Sequence, residues 1–146
     1  MIAKDNTHII CKIPDVDLIE LKNQKNWQRK YKSIIDLSKK LPSDDIIKQD
    51  QYLVAGCEAK TWLHLQLINP ETIEVTFDSE SAVVKGLCCV VLAPINDKKI
   101  SEIGDFNLHD YMHELQLEKH LSPSRVNGLL SFWVKLTDFV SSVRSI

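Results

Sequence analysis

Between Trp27 and Leu41 the apolar residues Trp27, Tyr31, Ile34, Ile35 and Leu41, with Ser38 in register, recur every three or four positions. That spacing predicts an amphipathic helix, which Pro42 stops because proline lacks an N–H and its ring clashes with the preceding turn. After Pro14, the residues Val16, Leu18, Ile19 and Leu21 predict a shorter helix. Residues 1–14 carry no clear period and are expected to be a mobile N-terminal segment. At Leu63 the period changes to two. Leu63, Leu65 and Leu67 alternate with His64 and Gln66, Asn69-Pro70-Glu71 turns the chain, and Ile73, Val75 and Phe77 alternate with Glu74, Thr76 and Asp78. Two antiparallel strands joined by a short turn follow, with Leu53 to Ala55 as a third, edge strand.

The run from Ser81 to Ala93 is apolar on nearly all sides, which predicts a buried helix ending at Pro94. Beyond a loop at Asn96-Asp97-Lys98-Lys99 come a short helix from about Ser101 and another over about Leu108 to Leu115. Ser122-Pro123 reads as an N-cap followed by a first-turn proline. The last helix then carries Val126, Leu129, Leu130, Trp133, Leu136 and Val140 on one face. Helices on both sides of a small antiparallel sheet make an α+β fold. Repeats, low-complexity segments and a parallel βαβ pattern are not seen in the sequence.

The 146 residues, 44% hydrophobic and 26% charged, suffice for one domain spanning 1–146 with its own core. Eighteen Lys and Arg against twenty Asp and Glu give a net charge of −2 without a basic run, so a nucleic-acid partner is not expected. The apolar stretches fall short of the roughly 18 residues that suggest a membrane span, and the first residues lack a signal-peptide core. A cytoplasmic protein is expected, with Cys11, Cys57, Cys88 and Cys89 reduced rather than paired.

Cys57 is the thiol with the most chemistry around it. It follows Gly56, a residue free to take a positive φ, in a turn just ahead of the first strand, with Glu58 and Lys60 close by. A thiol acts as a nucleophile in its thiolate form, which nearby cations favour; Lys60 could supply one, and Arg125 another if the fold brings it near. The plainer alternative is a small buried hydrophobe. No base stands near Cys57 in the sequence, though His64, His109, His113 and His120 could approach it in space as in a Cys-His hydrolase; His64, His113 and His120 read as solvated surface. Cys88 and Cys89, on an apolar helix and without a Cys-x-x-Cys spacing, read as core rather than as zinc ligands. Gly86 and Gly128 lie inside helices, at about 1 kcal/mol each relative to alanine, so each needs a compensating close approach. For Gly128 that is another helix, a partner or the Cys57 loop. Glycine-rich phosphate motifs are absent from the sequence.

Three separated stretches act as a joint pattern. They are Ala55-Gly56-Cys57-Glu58 with Trp62; Asp78-Ser79-Glu80 followed by Val83-Val84-Lys85-Gly86-Leu87; and Leu121-Ser122-Pro123-Ser124-Arg125 with Gly128. In order and spacing they resemble the SufE/CsdE family of sulfur acceptor proteins, and Trp27, Tyr31 and Lys40-Leu41-Pro42 fit the same family, so the resemblance covers about residues 15–140. Glu58-Ala59-Lys60-Thr61-Trp62 and Asp78-Ser79-Glu80 look nearer to the CsdE branch, whereas Lys85-Gly86 and Ser122 to Arg125 are equally SufE-like.

The resemblance implies a single α+β domain of the SufE/IscU-like type. It implies a protein that takes sulfur from a pyridoxal-phosphate cysteine desulfurase, SufS- or CsdA-like, for iron–sulfur cluster assembly, passing it to an acceptor such as a SufBCD scaffold. Cys57 takes the persulfide-forming position, with Gly56, Glu58, Lys60, Glu80 and Arg125 supporting the loop or the docking surface. Neither a metal nor a cofactor is expected on this chain, since pyridoxal phosphate belongs to the partner, and no reaction is expected from the chain alone. Two alternatives stay open: an iron–sulfur scaffold, which needs several convergent thiolates, and a non-catalytic adaptor of the desulfurase. Phe77, where the family often has glycine, and Cys88-Cys89, in place of ordinary apolar residues, depart from the pattern; the two cysteines invite a second redox thiol, against which stands the buried reading of their helix.

Overall fold

A computed structural model describes residues 1–144. The alternating stretches form a hairpin. Strand β2 (Thr61–Asn69) pairs antiparallel with β3 (Thr72–Ser79), Leu63 opposite Phe77 and Leu65 opposite Val75. The fold is α+β as expected, but the sheet is mixed and has four strands in the order β2-β3-β1-β4. Strand β1 (His8–Cys11) lies parallel to β3, and β4 (Lys98–Lys99) is antiparallel to β1.

Strand β1 falls in the segment expected to be a mobile tail, and that expectation is corrected. Ile9 and Cys11 turn inward and are buried, while Ile10 faces out. Four residues are too few for a period to emerge from their polar surroundings. The segment is held further back as well. Ala3 is fully buried and donates its N–H to Val143 O at 2.6 Å, and Arg144 bonds Asp5 through Nε and Nη2. The predicted edge strand at Leu53–Ala55 shrinks to a single bridge between Leu53 and Trp62.

The apolar face of the sheet, with Ile9, Leu63, Ile73, Val75 and Phe77, is buried. Its reverse face is not matched by a second helical layer, as had been expected. Gln66 and Ile10 are exposed there, and cover comes at the Trp62–Asp78 end from the 3₁₀ turns Asp45–Ile47 and Asp50–Tyr52. Strands that alternate apolar and polar need burial on one face only.

Helix α1 (Leu18–Asn23) precedes α2 (Trp27–Lys39), which packs on α3 (Ala82–Leu92). Nine of the eleven α3 residues are buried, as its all-round apolarity requires, and the Ser81 hydroxyl caps its first turn by accepting from Val84 N–H. Gly86 explains how close α2 lies. A Cβ there would meet the Ile34 carbonyl oxygen at 2.0 Å, inside any permitted contact. After α4 (Leu108–Glu114), Ser122 caps α5 (Pro123–Val143), whose buried line is Gly128, Leu129, Phe132, Leu136 and Val140. Val126, Leu130 and Trp133 flank that line half-buried, so the inward face is rotated slightly from the predicted one.

A buried charge cluster ties these elements together. Asp78, 2% exposed, accepts from Asp44 N–H at 2.9 Å, Ser79 N–H at 2.8 Å and the Ser43 hydroxyl at 3.2 Å, and pairs with Lys85 Nζ at 3.1 Å. Lys85 also donates to the carbonyls of Leu41 and Pro42 just beyond α2, the end of a helix where a cation is favoured. Burial alone would raise the Asp78 carboxyl, but the donated hydrogen bonds and the Lys85 ammonium hold it below its ordinary value.

Candidate functional site

The segment 55–60 leaves the body of the domain as a loop closed at its base. Val54 donates its N–H to Thr61 O at 2.8 Å, Glu80 donates to Lys60 O at 2.9 Å, and Lys135 Nζ holds Leu53 O at 3.2 Å. Gly56 takes φ +81, the left-handed conformation anticipated beside the thiol. The turn directs Cys57 back onto α5, where an alanine Cβ at position 128 would lie 2.9 Å from Cys57 Sγ. The glycine in α5 therefore makes room for the cysteine loop. Of the compensations foreseen for Gly128, this is the one the fold uses.

Cys57 is half-buried at the wall of a cavity of about 100 Å³ between the loop, α3 and α5. Val84, Leu87, Leu129 and Phe132 give the cavity an apolar lining, and Phe132 also meets Phe77 edge-on at 5.9 Å. That contact absorbs the residue that departs from the family pattern, and β3 continues unbroken to Ser79. Polar groups stand at the same wall: Glu58, Thr61, Ser81, Ser124 and Arg125.

Burial pushes the Cys57 thiol above its ordinary pKa, and a hydrogen bond with Thr61 pulls part of the way back. Thr61 is itself held by the Ser79 hydroxyl at 3.0 Å and by Ala59 O. The acidity of this thiol is thus set by desolvation and a hydroxyl; the cations Lys60 and Arg125 contribute no resolved part. At neutral pH the resting group is mainly the thiol, and loss of its apolar cover would make it more acidic.

The predicted support residues separate into two groups. Gly56, Glu58 and Arg125 meet Cys57 at the loop and cavity. Lys60 and Glu80 are exposed and joined through their backbones at the strand ends, away from the cavity lining. Arg125 is in the first turn of α5, where a cation opposes the helix dipole, and among the described residues it forms no salt bridge. The histidines lie elsewhere. His64 packs edge-on against Tyr52, His120 stacks on Trp27 at 4.6 Å, and His109 and His113 face Glu118. A Cys-His hydrolase has no base at this site.

Sequence reasoning missed three residues of the cavity, Phe132, Cys88 and Thr61. Phe132 lies one position from the predicted α5 face. Cys88 is fully buried and was read as core, yet it lines the same cavity as Cys57. Its adjacency to an invitingly apolar run concealed it, because helical rotation sends Cys88 to the cavity and Cys89 elsewhere. For Thr61 the available signal is its place at the first position of a strand after a cysteine turn.

The described residues form a small α+β domain that holds a half-buried thiol, on a loop with a positive-φ glycine, at the wall of an apolar cavity. Comparison with known proteins supplies the family. Residues 18–140 match the family model SufE, described as an Fe-S metabolism associated domain. The chain is 38% identical over 107 residues to the cysteine desulfuration protein SufE of Wigglesworthia glossinidia brevipalpis, covering 73% of this chain and 74% of that one. It is 35% identical over 112 residues to an uncharacterized SufE-like protein of Haemophilus influenzae, covering 75% and 88%. The chain belongs to the SufE family. No helix among the described residues is long and apolar enough to cross a membrane.

Proposed function

We propose that this protein is a sulfur acceptor for a cysteine desulfurase, carrying sulfur as a persulfide on Cys57. The observation that carries the reading is the half-buried Cys57 sulfur, held on a loop with a positive-φ glycine against Gly128 at the wall of an apolar cavity. The family match and the desulfuration name of the Wigglesworthia relative support it.

In the proposed step the Cys57 thiolate attacks the terminal sulfur of a persulfide on the desulfurase. A new sulfur–sulfur bond forms at Cys57, the old one breaks, and the donor cysteine leaves as thiolate. The proton lost by Cys57 goes to solvent. Docking that draws the loop outward removes the desolvation that raises the Cys57 pKa, so the thiolate forms when the donor is present. When the loop returns, the apolar cavity keeps water-borne reductants from the persulfide. Glu58, Lys60, Glu80 and Arg125 frame the surface the desulfurase covers. Pyridoxal phosphate is supplied by the desulfurase. The sulfur then passes to an iron–sulfur assembly scaffold in the cytoplasm.

An iron–sulfur scaffold role receives less support, since no group of three or more His, Cys, Asp or Glu among the described residues is placed to hold a metal ion. An adaptor role is separable by experiment. Alanine release from L-cysteine by a desulfurase of the SufS or CsdA type is measured with wild type and with Cys57→Ser. Stimulation by wild type and none by the variant is the expected result. Equal stimulation by both would make the protein an adaptor.

A further inference from the structure

We propose that Cys57 and Cys88 are a redox pair: a hydroperoxide oxidises Cys57, and Cys88 then closes the oxidised sulfur into a Cys57–Cys88 disulfide within the cavity. This reaction is independent of sulfur acceptance, since its only reactant besides the protein is the peroxide.

The two residues come from distant parts of the chain, the loop and α3, and line one cavity of about 100 Å³. A space of that size holds only a few water-sized bodies. Their surroundings differ in the way an attacking and a resolving thiol should. Cys57 is half-buried, on a loop with a positive-φ glycine, and its sulfur is seated against Gly128 at the cavity wall. Cys88 is fully buried on the helix that forms the opposite wall. Burial, then the neighbouring Cys89 and Cys57, push the Cys88 thiol well above its ordinary range. Cys57, half-buried on the loop, is the one of the two that a peroxide in solvent can reach. Cys89 and Cys11 are both outside the cavity lining.

The chemistry balances. The Cys57 thiolate attacks one peroxide oxygen, giving Cys57 sulfenic acid and, after protonation of the leaving oxygen, water or an alcohol. The Cys88 sulfur then displaces the hydroxyl from Cys57; its thiol proton leaves with that hydroxyl as a second water. Two thiols have lost two electrons and the peroxide has gained them. A disulfide requires Cβ atoms about 3.5–4.5 Å apart, so the loop folds inward and fills the cavity. A thiol reductant reverses the bond, whereas an unprotected sulfenic acid proceeds to sulfinic acid.

The test treats reduced full-length protein with two equivalents of hydrogen peroxide, enough to carry an unresolved Cys57 to sulfinic acid, then alkylates, unfolds and maps the peptides. Two of the four thiols should disappear, with a single cross-link joining the Cys57 and Cys88 peptides that dithiothreitol removes. Cys89→Ala should retain that cross-link. Cys88→Ala, or Cys88→Val if the smaller residue unfolds the helix, should yield Cys57 sulfinic acid instead. Wild-type protein that accumulates Cys57 sulfinic acid while Cys88 remains alkylatable, or a cross-link between two chains, would overturn the proposal.

Discussion

Replacing Gly128 by alanine separates the structural and chemical roles of the Cys57 loop. The new Cβ would lie 2.9 Å from Cys57 Sγ, but 3.7 Å and 3.8 Å from the cysteine's Cα and Cβ, which are ordinary contacts. Non-bonded heavy atoms rest about 3.5–4.0 Å apart, so the sulfur must retreat by roughly 0.6–1.1 Å while the backbone need not move. An off-rotamer side chain costs about 0.5–1.5 kcal/mol, and alanine in place of a mid-helix glycine returns about 1 kcal/mol. The two nearly cancel. Gly128→Ala is therefore expected to leave stability within about 1 kcal/mol of wild type, as read by urea unfolding.

The displaced sulfur loses its seat against α5 and moves toward solvent, where less desolvation opposes its ionisation. Each 1.4 kcal/mol or so of relieved desolvation raises the thiolate fraction about tenfold below the pKa. Iodoacetamide at pH 7 should therefore alkylate Cys57 several-fold faster in the variant, and the pH at half-maximal rate should fall. Alkylation no faster than wild type, or a stability loss above about 2 kcal/mol, would refute the claim that the glycine serves only to seat the sulfur.

Gly86→Ala is expected to behave in the opposite way. Its Cβ would meet backbone atoms of Ile34 at 2.0 and 2.7 Å, so α2 and α3 must separate and stability should fall by about 3 kcal/mol or more in the same urea assay. Asp78→Asn leaves the Lys85 ammonium buried without its counter-charge, and breaking such a pair costs about 3–5 kcal/mol. Because the folded Asp78 carboxyl is held below its unfolded value, its contribution is present above the unfolded pKa of about 3.9 and disappears as pH falls through the folded one. Wild-type stability should accordingly decline on acidification below about pH 4, a slope that the Asn variant should show less steeply. Arg125→Ala removes a cation from a helix N-terminus and should change stability by no more than about 0.5 kcal/mol. It should raise the concentration of this protein needed to half-saturate a desulfurase, leaving the alkylation rate of Cys57 unchanged.

The regular elements were legible where many residues repeat one instruction. The β2–β3 alternation, the capped start of α5 at Ser122-Pro123 and the apolar run of α3 all predicted what forms. Strand β1 was not legible, because His8–Cys11 is defined by its partners β3 and β4 and by Asn96, whose side chain receives the Cys11 N–H. Parallel pairing depends on residues far away in sequence, and a four-residue pattern cannot announce them. The same limit applies to Lys30. It looks like the polar face of α2, yet it is 3% exposed with its ammonium donating to Leu115 O at 2.6 Å.

At the site, Cys57 and Gly56 were visible as a thiol beside a permissive turn, and Gly128 as an unexplained glycine that the loop accounts for. Asp78 and Lys85 stood in the motifs through which the family is recognised, but their work is structural. They join α2, α3 and the hairpin beneath the loop, and neither lines the cavity. The link between Cys57 and Cys88 was invisible, since it exists only across the cavity that α3, α5 and the loop enclose together.

The most direct test of the central claim is the intact mass of the protein after incubation with a cysteine desulfurase and L-cysteine, without reductant. Wild type should gain the mass of one sulfur atom, lose it on treatment with dithiothreitol, and carry it on the Cys57 peptide, while Cys57→Ser gains nothing. A wild-type chain that stimulates the desulfurase yet never carries the added sulfur, or carries it equally in the Cys57→Ser variant, would contradict the account.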